Sequence, residues 1–271
     1  VDVDLVHNYM LELLGNIGCK SINGLYYSTT NLKDDIYAKP NTGMFKRASA
    51  EIGVNWNGDF HLIEKMMNDA KNAGCDAVKL QAFDDKIVGD NPDKDRLLET
   101  SVSAENVNEI QLISKKVGIE WYCTPMYADA ISFLDEYVKR YKIRFADSLD
   151  LHKNQSSTLI SKVLETNKEI IISSQENPKN LQLYNNKNIK WLYVVPKYPC
   201  TLDEIDFSSL KNFHGYSNHC RDIIAPLTAV ILGAEMIEIH VTSDKEKSFF
   251  DNPVSFDPSE TEHLVQLIRK T

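Results

Sequence analysis

The chain has 271 residues, of which 42% are hydrophobic and 25% charged, and its formal net charge is −9. These values are typical of a soluble globular protein, and the acidic balance argues against broad surfaces for nucleic acid or anionic membranes. The chain has no apolar run of about 18 residues and no signal peptide, which predicts a cytoplasmic protein without a membrane span. Five widely spaced cysteines without a CxxC pair favour reduced thiols over a disulfide framework or a structural zinc site.

Residues 1–45 differ in composition from the rest of the chain. They are polar and rich in turn-forming residues, with one short amphipathic pattern at His7–Leu14. We therefore divide the chain into an N-terminal extension, residues 1–45, and one domain, residues 46–271. The first residue is Val1 rather than Met, which is typical of a segment of a longer polypeptide.

From residue 46 onward, β-prone runs alternate strictly with helical stretches. The predicted strands are Ala48–Val54, Asp76–Phe83, Ile119–Thr124, Lys142–Asp147, Glu169–Ser174, Ile189–Val195, His214–Ser217 and Glu235–His240. The predicted helices span residues 59–73, 103–117, 127–139, 155–166, 178–185, 203–212, 221–233 and 258–270. Eight such units predict a parallel sheet closed into a (β/α)8 barrel. A doubly wound open sheet is the alternative, but its glycine-rich GxGxxG turn is absent after the first strand.

The first two strands carry charged residues among apolar ones, near the strand ends where barrel enzymes place their active sites. Glu51 interrupts the first strand, and a buried carboxylate is costly unless it is paired. It is either a base or metal-side acceptor, or one half of a structural salt bridge. On the second strand Lys79 and Gln81 share the face opposite Val78 and Leu80, so we expect Lys79 to enter the barrel. There it suits a phosphate or carboxylate, with a Schiff-base role as the rival interpretation.

The fourth strand alternates in the same way. Lys142 and Arg144 lie opposite Ile143 and Phe145, so at least one cation is expected inside the barrel. We interpret Lys142 as a solvated residue of the lower rim. Hydroxyl groups that can hold anion oxygens end the third and fifth strands, at Thr124, Ser173 and Ser174.

Two histidines occupy matching positions at the ends of the last two strands. His219 follows the seventh strand and His240 ends the eighth. These strands are neighbours in a barrel, so the two imidazoles can share one divalent metal. Asp251, in the loop that follows, can add an oxygen ligand or a supporting hydrogen bond. The alternative is a pair of ordinary polar rim histidines.

Together these segments resemble the N-acetylneuraminate (sialic acid) synthase family, which includes the legionaminic and pseudaminic acid synthases. Ala50–Asp59 resembles the family's AEIGxNHNGD, Ala73–Phe83 its AGADAVKFQTF, Cys123–Pro125 its STPF, Tyr198–Pro199 its YP, Gly215–His219 its GYSDH, Gly233–His240 its GAxxIEKH and Asp251–Pro258 its DHxFSLDP. The matches keep their order and cover roughly residues 48–270.

The resemblance implies a metal-dependent transferase that condenses phosphoenolpyruvate with an N-acetylated aldose such as N-acetylmannosamine. The products are a sialic-acid-like 2-keto-3-deoxy sugar acid, used in surface polysaccharides, and phosphate. The implied cofactor is Mn2+ or Mg2+. The family usually adds an antifreeze-like domain that reaches across a dimer, so we expect a homodimer or a separate lid domain as partner, unless the acceptor sugar differs.

The resemblance also implies a role for each matching residue. His219 and His240 would bind the metal, while Glu51 and Asp251 would serve catalysis beside them. Phosphoenolpyruvate would contact Lys79, Gln81, Thr124, Arg144, Ser173 and Ser217, and the sugar would contact Asn55 and Tyr198. The lysine of the family's KIAS motif falls on Arg144, although Lys142–Ile143 also fits.

Five residues depart from the family pattern: Trp56, Asp147, Gln175, Asn218 and Asn252. They motivate a second hypothesis, in which an altered barrel serves as a binding or scaffold module of a larger polysaccharide-biosynthesis protein. A third hypothesis is a different metal-dependent aldolase or synthase.

Overall fold

The computed structural model describes residues 47–271, so the predicted extension lies outside the described residues. Eight parallel strands form a closed barrel in chain order: β1 Arg47–Glu51, β2 Ala77–Ala82, β3 Glu120–Pro125, β4 Arg140–Ile143, β5 Glu169–Ser174, β6 Ile189–Val194, β7 Gly215–Asn218 and β8 Met236–His240. The barrel closes through β1 and β8. The predicted (β/α)8 barrel is confirmed.

Helices surround the barrel: α1 Phe60–Asn72, α2 Asp85–Val88, α3 Lys94–Glu99, α4 Val107–Val117, α5 Ala130–Leu134, α6 Phe145–His152, α7 Thr158–Glu165, α8 Ile224–Ile231 and α9 Pro258–Lys270. Two segments predicted as helices, 178–185 and 203–212, contain only 3₁₀ turns, at Pro178–Asn180, Gln182–Asn185, Leu202–Glu204 and Phe207–Asn212. A fifth 3₁₀ turn lies at Asn252–Val254. Among the described residues, no helix has the length and apolarity that a membrane crossing needs.

Helix α1 illustrates how the sequence builds the outer layer. It begins after Asp59, whose carboxylate accepts a hydrogen bond from the backbone N–H of His61 at 2.8 Å. The residues that it buries recur every three or four positions: Ile63, Met66, Met67 and Ala70. This spacing places one apolar stripe against the strands and leaves the other face to solvent.

Strand β2 shows the alternation that positions the site. Val78 and Leu80 are fully buried on the face that meets the helices, so Lys79 points into the barrel as predicted.

The fourth unit differs from its prediction. Strand β4 begins at Arg140 and ends at Ile143, and α6 begins at Phe145. Lys142 is therefore inside the barrel, with 2% of its surface exposed, and its assignment to a solvated lower rim is wrong. Arg144 comes just after the strand end, where its guanidinium pairs with Asp147, Nε to Oδ2, at 2.6 Å.

Candidate active site

The strand register brings the charged residues of the barrel interior together. Glu51 is the register partner of Lys79 on β2 and of His240 on β8. One row lower, Glu238 on β8 is the partner of Ser217 on β7. Because inward side chains of neighbouring strands form layers, these residues lie at one end of the barrel, toward the carboxyl ends of the strands.

Four charges alternate across this interior. The Lys79 ammonium contacts Oε2 of Glu51 directly and lies 3.3 Å from Oε2 of Glu238. The Lys142 ammonium lies 2.6 Å from Oε1 of Glu238. All four side chains are at most 7% exposed, so each charge depends on its neighbours for stabilisation.

Glu238 connects the two lysines of this network. Its Oε1 also accepts a hydrogen bond from Ser217 Oγ at 2.8 Å, and its Oε2 accepts one from Tyr122 OH at 3.3 Å. Burial acts to raise the pKa of Glu238, but the Lys142 and Lys79 ammoniums outweigh it and hold this pKa well below its ordinary range. Glu238 is therefore a carboxylate at neutral pH.

The surroundings of Lys79 lower the pKa of its ammonium group. Burial lowers the pKa of Lys79 to about 7, and the Lys142 ammonium adds to this effect, while Glu238 opposes it. A bound anion would therefore stabilise the protonated form of Lys79.

The two histidines face each other, with ring centroids 5.5 Å apart. His219 Nδ1 lies 2.8 Å from the carbonyl of Val195, which fixes the ring and leaves Nε2 for another partner. His240 Nε2 is 3.2 Å from the hydroxyl of Tyr198, and its Nδ1 is 3.3 Å from Oδ2 of Asp251. Burial, together with the neighbouring His240, lowers the pKa of His219 to about 3, so this imidazole is neutral at physiological pH. A neutral imidazole is the form that binds metals.

The histidine pair fits a metal site that is incomplete in protein ligands. Within residues 47–271, no three His, Cys, Asp or Glu side chains lie close enough to hold a cation by themselves. The neutral His219 ring and His240 could supply two nitrogens, and substrate or water oxygens would have to supply the remaining ligands. This arrangement suits a cation that binds together with a substrate.

Asp251 is held in place by a contact between distant parts of the chain. Its backbone N–H donates to Oδ1 of Asn55 at 2.9 Å, and the Asn55 amide donates to Val241 O at 2.9 Å and Ser255 Oγ at 3.0 Å. Asn55 is fully buried. Its side chain therefore positions the Asp251 loop, and its contact with a sugar stays a prediction.

Two hydroxyl groups without hydrogen-bond partners among the described residues lie on β3 and β5. Thr124 and Ser173 are at most 3% exposed, and neither hydroxyl has a hydrogen-bond partner in the part of the chain that the structure describes. Buried polar atoms normally have partners, so such groups point to a bound molecule or water. Gln81 Nε2 lies 3.2 Å from Oε1 of Glu51, which links Gln81 to the charged network.

Replacing Gly53 by alanine tests how tightly the site is packed around Glu51. Gly53 has φ of +53°, and a Cβ there would lie 2.8 Å from Oε1 of Glu51 and 3.0 Å from Oδ2 of Asp251. We expect turnover to fall by about 100-fold, because a displacement of about 1 Å within an active site has effects of this size. Gly89→Ala is the matched control: its φ is +61°, but no atom lies within 4 Å of the position that the new methyl group would take. Equal turnover in the two variants, measured as phosphate release, would show that the site tolerates a methyl group at position 53.

Comparisons with known proteins agree with this geometry. The model of the NeuB family matches residues 66–271, which is most of the chain. The chain belongs to the NeuB family. It is 29% identical over 255 residues to N,N'-diacetyllegionaminic acid synthase of Campylobacter jejuni, covering 82% of this chain and 75% of that protein. It is 27% identical over 256 residues to human N-acetylneuraminate-9-phosphate synthase, covering 81% and 68%.

A solved structure has a similar fold. The N-acetylneuraminic acid synthetase of Leptospira borgpetersenii, determined in complex with citrate, is 26% identical with a TM-score of 0.73. The match covers 83% of this chain and 84% of that one. The predicted resemblance to sialic acid synthases, and with it the prediction of an enzyme that uses phosphoenolpyruvate, is confirmed at the level of the family.

Three departures from the NeuB pattern support the backbone near the site. The Trp56 indole donates to Thr100 O at 2.9 Å, and the ring is buried. Asn218 Nδ2 donates to Cys220 O at 2.7 Å, which closes the turn that carries His219. Asn252 Nδ2 donates to Asp244 O at 3.1 Å and to a second carbonyl at Lys247. Each residue thus fixes the backbone segment whose carbonyl accepts its hydrogen bond.

The other two departures have separate explanations. Gln175 is exposed after the end of β5. The charge of Asp147 is neutralised by Arg144. Because Lys142 lies in the barrel, Lys142–Ile143 is the better match to the start of the KIAS motif, with Arg144 and Phe145 in the positions of its alanine and serine.

Sequence reasoning did not assign Glu238, although a signal was present. Glu238 interrupts the apolar strand β8 as Glu51 interrupts β1, and it lies two residues before His240 on the same face.

Proposed function

We propose that this protein condenses phosphoenolpyruvate with an N-acetylated aldose, with the help of a divalent metal, in the cytoplasm. The carbon–carbon bond forms between C3 of phosphoenolpyruvate and the aldehyde carbon of the open-chain sugar. Water adds at C2, and phosphate leaves, giving a 2-keto-3-deoxy sugar acid. The names of the legionaminic acid and N-acetylneuraminate-9-phosphate synthases support an amino sugar as acceptor.

The observation that carries the proposal is the convergence of two buried ammonium groups on one carboxylate near buried, unpartnered hydroxyls. Lys79 and Lys142 share Glu238, and the hydroxyls of Thr124 and Ser173 lack partners among the described residues. Phosphoenolpyruvate is a trianion that needs both cations and hydrogen-bond donors. Both kinds of group are present at the barrel mouth.

The charges of this region also support a metal. Two lysines, Lys79 and Lys142, face three carboxylates, Glu51, Glu238 and Asp251. These five groups together offer no surplus positive charge to a trianion. A divalent cation held by His219 and His240 would supply that charge and, when bound, would act as a Lewis acid on the aldehyde oxygen.

The remaining roles follow from the contacts of each residue. Glu51 is held by Lys79 and Gln81, so its carboxylate is positioned to accept or return a proton at the attacking water or a sugar hydroxyl. Asp251 lies beside His240 and would orient its ring. Lys79, Lys142 and the hydroxyls would bind and orient phosphoenolpyruvate, and Ser217 keeps Glu238 in place.

The proposal is tested by incubating the protein with phosphoenolpyruvate, Mn2+ and a panel of N-acetylated and non-acetylated aldoses, and measuring phosphate release. We expect release that depends on an N-acetylated sugar. Absence of release with every sugar of the panel would contradict the proposal and favour the scaffold hypothesis. Product formation from free pyruvate without phosphate release would identify an aldolase instead.

Replacement of either histidine tests the metal assignment separately from turnover. His219→Ala and His240→Ala should each lose Mn2+ binding, because each variant removes one of the two imidazole ligands. Electron paramagnetic resonance of Mn2+ measures free and bound metal without a need for turnover. His263→Ala, which changes an exposed residue of α9, should bind Mn2+ like the unmodified protein. Unchanged binding in both site variants would refute the metal assignment.

The binding of phosphoenolpyruvate should depend on pH through Lys79. The pKa of this residue, lowered to about 7 by burial, means that its charge is present below that pH and lost above it. Affinity should therefore fall as pH rises, by up to about tenfold per pH unit, and binding at about pH 8 should take up a proton. Titration calorimetry in two buffers of different ionisation enthalpy measures this uptake. Lys79→Arg keeps its charge and should lack the uptake, whereas an equal uptake in both proteins would contradict the assignment.

A further inference from the structure

Two of the cysteines lie side by side, close in sequence to residues of the candidate active site. Cys200 follows β6 and Cys220 follows β7, and the two are partners in an isolated parallel β-bridge. The backbone N–H of Cys200 donates to His219 O at 3.0 Å, which is one hydrogen bond of this bridge. Both are free and 3% exposed. The pair is therefore fixed by the backbone of both segments.

The geometry of this pair suits a disulfide. Parallel neighbours are about 4.7–4.9 Å apart, which lies within the usual Cα separation of about 4.4–6.8 Å for a disulfide. Register partners also point to the same side of a sheet. Cys75 and Cys123, the other free cysteines of the described chain, are buried in other parts of the barrel and have no cysteine as a β-bridge partner.

Both segments carry residues of the candidate site. Tyr198 lies two residues before Cys200, and its ring packs on His219 with centroids 3.9 Å apart. Its hydroxyl lies 3.2 Å from His240 Nε2. His219 directly precedes Cys220. Any ligand that uses His240 Nε2 must displace the Tyr198 hydroxyl, so the Tyr198 side chain has to move away from the two histidines.

We propose that Cys200 and Cys220 are a reversible oxidation site, whose disulfide holds Tyr198 against the two histidines and lowers turnover. The oxidant is a small peroxide. One thiolate attacks a peroxide oxygen and becomes a sulfenic acid, and the second thiol then attacks that sulfur and releases water. In total two thiols and one hydrogen peroxide give one disulfide and two waters, and thiol exchange reverses the bond.

The surroundings of the pair explain how a peroxide reaches the two thiols and what their disulfide would restrain. The residues flanking the pair, Pro199, Thr201 and Arg221, are exposed, so a local opening of the loop admits a small oxidant. Once formed, the disulfide ties the Tyr198 segment to the end of β7. The expected effect on turnover rests on the proposed function, whereas disulfide formation and restricted motion do not.

The experiment treats reduced protein with hydrogen peroxide and follows three readouts. Peptide mass spectrometry without reductant should show Cys200 linked to Cys220. Trypsin should cut more slowly after the exposed Lys197, because the tied segment opens less often. Phosphate release should fall by at least about tenfold and return with dithiothreitol.

Variants make the test specific. Cys200→Ser and Cys220→Ser should each lose all three responses to peroxide, and Cys75→Ser should keep them. A Cys19→Ser background removes the thiol that precedes the barrel. Absence of the linked peptide, or a linked peptide with unchanged trypsin cleavage after Lys197, would overturn the proposal. If the reduced protein releases no phosphate, the first two readouts still decide on the oxidation site, and only the proposed function fails.

Discussion

Replacing Glu238 by leucine is expected to lower the free energy of unfolding by about 3–5 kcal/mol. Its carboxylate is shared by the buried ammonium groups of Lys79 and Lys142, at 3.3 and 2.6 Å. Removing it leaves two buried positive charges with less compensation, and the desolvation cost of those charges stays. Urea unfolding followed by circular dichroism measures the change.

Two controls accompany this variant. Asp69→Ala removes an exposed i,i+4 ion pair with Lys65 and should change stability by about 0.3–0.5 kcal/mol. The double variant Lys142→Met/Glu238→Leu should be more stable than Glu238→Leu alone, because it removes one of the uncompensated charges. If the free energy of unfolding of Glu238→Leu fell by less than about 1 kcal/mol, the network would contribute little to the stability of the fold.

Replacing Glu51 by glutamine is expected to lower turnover by about 10²–10⁴-fold while the protein stays folded. Glutamine fills the same space and can still meet Gln81, but it cannot accept a proton or balance the Lys79 ammonium. The readout is phosphate release, together with the far-UV spectrum as a check of folding.

Glu169→Gln is the control for this change. Glu169 begins β5, at the opposite end of the barrel, and its carboxylate pairs with Arg47 at 2.8 Å. This variant removes a carboxylate and an ion pair of the same barrel, but it should leave turnover within about twofold of the unmodified protein. Equal losses in the two variants would mean that Glu51 acts through general stability and not through the reaction.

The charges that interrupt apolar strands were the most informative signals in the sequence. Glu51 and Lys79 could be placed inside the barrel because each stands among residues that must be buried. Glu238 carries the same signal, and recognising it would have completed the network. Sequence alone could not show that one carboxylate serves two lysines from β2 and β4, because that depends on the closure of the barrel.

The errors came from element boundaries and from long-range contacts. Strand β4 starts two residues before its predicted beginning, and this shift moves Lys142 from the rim to the interior. Asn55 contacts Val241 and Ser255, which are 186 and 200 positions away in the chain. Such loop contacts are set by tertiary packing, and no local pattern encodes them. The matches to family motifs located the site residues better than the predicted element boundaries did, because the motifs occur in the same order as the strand ends.

A crystal structure of the protein with phosphoenolpyruvate and Mn2+ would test the central claim most directly. We expect the phosphate and carboxylate of the ligand to contact Lys79, Lys142 and the hydroxyls of Thr124 and Ser173. We expect the metal on His219 and His240, with the Tyr198 hydroxyl displaced from His240. Phosphoenolpyruvate bound away from the two lysines, or Mn2+ bound to neither histidine, would contradict the proposed site.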